Sequence, residues 1–149
     1  MLRTVAREIA VRLCFLISEN PMAPRDLIEQ VFDEEYYSTL GTEDELFVDS
    51  PDKKQIDYIS RIVAGVYEHA PELDGYIDKY SLGWKFGRIS RTAAAVLKTA
   101  MFEVLYMPDI PDAAAINEAV ELAKRYESPE TVSYINGVLG SFSRAEKGV

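Results

Sequence analysis

Apolar residues recur along this chain at intervals of three and four, and prolines or short polar breaks cut the pattern into helix-length segments. The first covers about Arg3–Glu19 and stops before Asn20-Pro21, with Val5, Ala6, Ile9, Ala10, Leu13, Leu16 and Ile17 on one arc. Arg3 and Arg7 sit together at one edge of that arc and Arg12 at the other. A second helix starts near Pro24 with Leu27, Ile28, Val31 and Phe32 inward, and Tyr36–Asp49, with Gly41 and many acids, reads as a loop or frayed helix end. Ser50-Pro51 opens a third helix facing the core with Ile56, Ile59, Val63, Val66 and Tyr67. Pro71 ends it and begins a shorter fourth through Leu73 and Ile77.

Gly83 and Gly87 flank a connection that holds the only tryptophan, Trp84. The fifth helix has the cleanest pattern: Ile89, Ala93, Val96, Leu97, Ala100, Met101, Val104 and Leu105, closed by Pro108. Asp112, after Pro111, caps the sixth, whose face is Ile116, Ala119, Val120 and Ala123. Ser128 as N-cap and Pro129 at the first helical position open the seventh, facing inward with Val132, Ile135, Val138, Leu139 and Phe142. No strand pair is convincing. The expectation is an all-α, seven-helix bundle forming one domain over residues 1–149. The tail 144–149 lacks an apolar anchor and is expected to fray.

Length and composition agree with that architecture, since 149 residues at 48% hydrophobic can bury a sizeable core. Charges interrupt every window as long as the roughly 18 apolar residues of a membrane span. Arg3, Arg7, Glu8 and Arg12 break up the uncharged run that a secretory signal needs. A lone cysteine, Cys14, rules out an internal disulfide and fits a reducing compartment, so the expected location is a bacterial cytoplasm.

The net charge of −9 looks wrong for a nucleic-acid binder until its distribution is counted. Residues 26–57 hold eleven acids against Lys53 and Lys54, which accounts for the whole excess. The remainder is neutral, and Lys79, Lys85, Arg88, Arg91 and Lys98 span twenty residues without an acid. Phosphates respond to local potential over a Debye length of about 8–10 Å, so a neutral or basic face can bind RNA on an acidic protein, and the acidic balance weakens the RNA reading without excluding it.

Catalytic chemistry is not in view. His69 reads as a helix-end residue favoured by the dipole, Cys14 as core packing, and Glu34/Glu35 as solvated loop acids. No glycine loop for phosphates, nucleotide fingerprint or metal-ligand spacing appears, so neither an enzyme nor a cofactor is expected.

Wording carries more than periodicity. Ile116-Asn117-Glu118-Ala119-Val120-Glu121-Leu122-Ala123-Lys124-Arg125-Tyr126 and Tyr134-Ile135-Asn136-Gly137-Val138-Leu139 resemble the two closing helices of the NusB transcription antitermination family. Ala6-Arg7-Glu8-Ile9-Ala10-Val11 is similar to that family's A-R-E-x-A-V opening. Ile62-Val63-Ala64-Gly65-Val66 with Leu73-Asp74 resembles its central segment. Trp84, Arg88, Val96-Leu97-Lys98 and Phe102-Glu103-Val104 follow its W…R…I-L-R…Y-E-L run.

The resemblance implies a non-catalytic adaptor that pairs with the ribosomal protein NusE. Together they hold single-stranded boxA-type RNA beside the elongating polymerase, notably in ribosomal RNA transcription. Matched position by position, it places RNA contact on Arg3, Arg7, Phe15, Lys98 and Tyr134, with Glu130 an acid near that surface. Tyr80, Trp84 and Arg88 are the expected NusE-docking residues. Lys98 stands where the family has arginine and lacks its bidentate fork.

The residues alone leave alternatives open. Arg3 and Arg7 are either solvated helix charges or, as i, i+4 neighbours, a joint grip on phosphate. Phe15 and Tyr134 are either core-edge aromatics or stacking faces for bases. A purely protein-binding helical adaptor is one rival. Another is a relative of the NusB-like domains that precede RNA methyltransferase domains, against which the length of the chain counts. A monomer or weak homodimer with no membrane partner completes the expectation.

Overall fold

Every regular element among the described residues is helical: eight α-helices and one 3₁₀ turn. The computed structural model describes residues 1–20, 22–81 and 89–147. By the clustering of its contacts the chain divides into two compact units, Met1–Tyr67 and Glu68–Val149.

In the first unit, α1 (Arg3–Glu19) buries Ala6, Ile9, Ala10 and Leu13, the centre of the predicted arc. Leu16, expected inward, is 42% exposed, whereas Arg7 and Glu8 are buried. Pro24 opens α2 (Pro24–Val31), which turns Leu27 and Val31 inward.

The acidic stretch departs most from expectation. It folds as α3 (Glu34–Leu40) and a 3₁₀ turn at Glu45–Phe47. Two aspartates organise it: Asp33 Oδ1 accepts the Tyr36 N–H and Asp44 Oδ1 accepts the Leu46 N–H, both at 3.0 Å. Glu34 and Glu35 occupy the first turn of α3, where the helix dipole favours acids. Tyr37 supplies the missing apolar centre. Its ring stacks on Phe32 at 5.8 Å and meets the edge of Phe47 at 5.7 Å, and its hydroxyl donates to the Asp49 carbonyl at 2.8 Å. Gly41 lets the chain fold back, since a Cβ there would lie 2.9 Å from the Phe47 carbonyl oxygen. A one-helix undercount in the sequence reading follows from this segment.

Helix α4 (Lys53–Glu68) begins two residues later than Ser50-Pro51 suggests, because Asp52 and Gln55 form a reciprocal cap. Asp52 N–H donates to Gln55 Oε1 and Gln55 N–H to Asp52 Oδ1, both at 2.9 Å. Its buried face is Tyr58, Ile59, Ile62, Val63 and Val66. Tyr67, expected in the core, is 54% exposed.

In the second unit, His69 heads α5 (Ala70–Tyr80) rather than closing the preceding helix, and Leu73 and Ile77 are buried. Ser90 Oγ accepts the Ala93 N–H at 3.0 Å and starts α6 (Arg91–Tyr106). Pro111 occupies the cap position of α7 (Asp112–Tyr126), so Asp112 serves as a first-turn acid instead. The buried side of α7 is Ala115, Ala119, Leu122 and Ala123, rotated from the predicted face so that Ile116 and Val120 are half-buried. Alanines at the centre of that face suit close helix approach.

Ser128 Oγ accepts the Thr131 N–H at 3.3 Å at the start of α8 (Pro129–Lys147), which buries Tyr134, Ile135, Val138, Leu139 and Phe142. Helices α6, α7 and α8 pack on one another, and α5 lies against α6 and α8. Each fully buried large apolar side chain there contributes about 1.5–3 kcal/mol. The tail expected to fray continues as helix to Lys147. Its anchor is polar: Glu146 accepts a hydrogen bond from the Tyr80 hydroxyl and pairs with Lys79 at 3.3 Å.

Candidate nucleic-acid interface

Arg3 is the first residue of α1 and is exposed; Arg7, one turn further, is only 5% exposed. Both guanidiniums gather on one ring of α4. Arg3 Cζ lies 4.1 Å from the centroid of Tyr58 and Arg7 Cζ lies 5.9 Å from it. Gln55, one turn before Tyr58, donates from its side-chain amide to the Met1 carbonyl, so α4 holds the start of α1 at two points. The i, i+4 arginine pair read from the sequence is thus one solvated cation and one largely enclosed.

Arg12, at the opposite edge of α1, is neutralised within the unit. Its guanidinium bonds to Asp44 and lies 3.8 Å from Glu8. The Leu46 N–H, and then Arg12, hold the Asp44 carboxyl below the usual carboxylate range. Phe15 is half-buried on the same helix.

The remaining site residues lie in the second unit. Tyr134 is 1% exposed and its hydroxyl shares a hydrogen bond with Ser81 Oγ, so its ring is a core side chain with no open face for a base. Glu130 is exposed in the first turn of α8. Lys98 Nζ is 2.7 Å from Asp74 Oδ1. Tyr80 is half-buried, with its ring edge-on to Phe142 at 6.0 Å and its hydroxyl on Glu146. Trp84 and Arg88 lie outside the described residues, as does Lys85.

Pairing changes the picture of the acid-free run Lys79–Lys98. Lys79 meets Glu146 and Lys98 meets Asp74, carboxylates that the fold brings in from other parts of the chain. His69 stacks on Tyr106 at 4.3 Å and lies 3.9 Å from Glu72, whose carboxylate also accepts from the Tyr106 hydroxyl at 2.8 Å. That cluster closes the α5–α6 contact and offers no nucleophile. Among the described residues, no group of three or more His, Cys, Asp or Glu side chains is arranged to hold a metal. No helix among them is long and apolar enough to cross a membrane.

Two residues of this geometry escaped the sequence reading. Tyr58–Ile62–Val66 forms an i, i+4 series on α4 as regular as the stripe of Ile56 and Ile59 beside it, so periodicity alone does not single out Tyr58. Glu146 was hidden because a polar tail carries no periodic signal.

The described residues are thus helical throughout their regular elements, with Arg3 exposed on the first helix and Arg12, Lys79 and Lys98 paired with carboxylates. Comparison with known proteins assigns this arrangement to a family. The NusB family model matches residues 4–144. The transcription antitermination protein NusB of Ruminiclostridium cellulolyticum is 38% identical over 97% of this chain and 90% of its own length. That of Acetivibrio thermocellus is 39% identical over 93% of this chain and 86% of its own. A solved structure of T. maritima NusB superposes with a TM-score of 0.71 at 28% identity, covering 97% of this chain and 92% of that one. The chain belongs to the NusB family.

Proposed function

We propose that this protein is an RNA-binding transcription antitermination factor. It takes single-stranded boxA-type RNA at the first turn of α1 and acts with the ribosomal protein NusE beside the elongating polymerase. It works as one domain, as a monomer or weak homodimer, in the bacterial cytoplasm, and catalyses no reaction. Relatives that carry the antitermination name at 38% and 39% identity over nearly the whole chain support the role. The observation that carries the RNA reading is Arg3, a solvated guanidinium at the tip of α1 with its position fixed by Tyr58. Phosphate contact by such a group depends on local potential as well as on net charge. Phe15, half-buried on the same helix, is the aromatic that would stack on a base. Titration of boxA-type RNA against the Arg3→Ala variant tests this. Weaker binding with a shallower salt dependence is expected, and wild-type affinity would remove α1 from the RNA surface.

A second reading is a protein-binding adaptor that has kept the fold and lost RNA affinity. The neutralised Lys79 and Lys98 favour it. Titration with RNA alone, then with NusE present, separates the two: this adaptor binds no RNA in either case.

A further inference from the structure

We infer that Tyr58 is a positioning residue for RNA recognition, holding the Arg3 guanidinium ready on its ring face without neutralising it. The inference rests on the reading that Arg3 contacts RNA. Three other cations of the chain are paired with carboxylates. Arg12 faces Asp44, Lys79 faces Glu146 and Lys98 faces Asp74; in each case a carboxylate cancels the charge and takes up donors that a phosphate would need. Arg3 has a different kind of partner. Its Cζ lies 4.1 Å from the centroid of an aromatic ring that is itself 5% exposed and therefore held in place by packing.

A guanidinium carries its five N–H donors at the rim of its plane, so contact through a face consumes none of them. The ring quadrupole attracts the cation and leaves its net charge intact. A long side chain at a helix tip otherwise loses rotamer freedom on binding RNA, and a ring that already restrains it removes part of that loss. Arg7 Cζ lies 5.9 Å from the same centroid, one turn further along α1. Gln55, on the same helix, fixes the backbone on the N-terminal side of Arg3 through the Met1 carbonyl. The tip of α1, the ring and the amide of α4 thus form one device that presents a single charged group.

The experiment is a double-mutant cycle read by titration with boxA-type RNA at several salt concentrations. Tyr58→Phe keeps the ring and should bind within about twofold of wild type. Tyr58→Leu removes the ring and should weaken binding by roughly three- to tenfold, the range expected for a partly desolvated cation–π contact. In an Arg3→Ala background, Tyr58→Leu should add nothing. Wild-type affinity in Tyr58→Leu, or an undiminished loss in the Arg3→Ala background, overturns the inference. A loss on Arg3→Ala with none on Tyr58→Leu overturns it while leaving the RNA reading intact; no effect of Arg3→Ala overturns both. The RNA-free wild type provides a check independent of variant folding. Arg3 side-chain protons should show ring-current-shifted NMR resonances, and random-coil positions would count against the contact.

Discussion

Lys98 Nζ lies 2.7 Å from Asp74 Oδ1, an ion pair that joins α6 to α5. The lysine side chain is 18% exposed and the carboxylate 56%, so the cation is largely enclosed and its partner meets solvent. Lys98, which the resemblance assigns to RNA contact, therefore has its charge engaged within its own unit. Its first role on this geometry is to fasten two helices.

The pair sets a stability expectation. Asp74→Asn should lower stability by no more than about 1 kcal/mol, because a half-exposed carboxylate is screened by solvent. Chemical denaturation measures it. In RNA titrations Lys98→Met should cost less than Arg3→Ala, since Lys98 gives up a charge that Asp74 already balances.

Tyr37 gives a pH-dependent expectation. Burial, and then the charge of Asp49, push its phenol from 10.0 up to about 12. The folded state therefore favours the neutral form. The resulting stability is complete below about pH 10 and is lost as pH rises toward about 12. Wild type should lose more stability across that window than Tyr37→Phe. At neutral pH, the same variant should lose about 0.5–1.5 kcal/mol with its hydrogen bond to the Asp49 carbonyl. Parallel melts at pH 7 and pH 11 measure both effects.

Glu146 should decide whether the last turn of α8 is ordered. The Tyr80 hydroxyl, and then Lys79, hold its carboxyl below the usual range. The ionised form is favoured in the fold, so its contribution is present above the ordinary carboxylate pKa and is lost as pH falls through the depressed one. Glu146→Gln should speed amide hydrogen exchange at Arg144–Lys147, with little change in the buried turn around Leu139. Equal protection in variant and wild type would show that another contact holds the tail.

Helix positions were legible in the sequence because period-3.6 burial and proline punctuation are local signals. α1, α2, α5 and α6 fall close to the predicted segments. Their rotations were less legible. Where a helix carries apolar residues on more than half its circumference, as α4 and α7 do, the period alone does not say which stripe is innermost, and Tyr58 and Leu122 were passed over for Tyr67 and Val120. The acidic stretch was misjudged for another reason. Its stability comes from two aspartate caps and one buried ring, and composition averages those away.

The candidate site divides along the same line. Arg3 and Arg7 were visible as a spacing, but their shared ring comes from another helix. Lys79 and Lys98, at the two ends of the acid-free run, looked unpaired because the acids they meet, Glu146 and Asp74, lie outside it in sequence and reach them only through the fold.

We propose that this chain binds single-stranded RNA in cooperation with NusE. Calorimetric titration of boxA-type RNA at one fixed salt concentration, first into the protein alone and then into its mixture with NusE, tests it most directly. Modest binding alone, tightened by NusE, is the predicted result, with RNA raising the affinity for NusE by the same factor. No RNA binding in either titration would contradict the account and leave a protein-binding adaptor in its place.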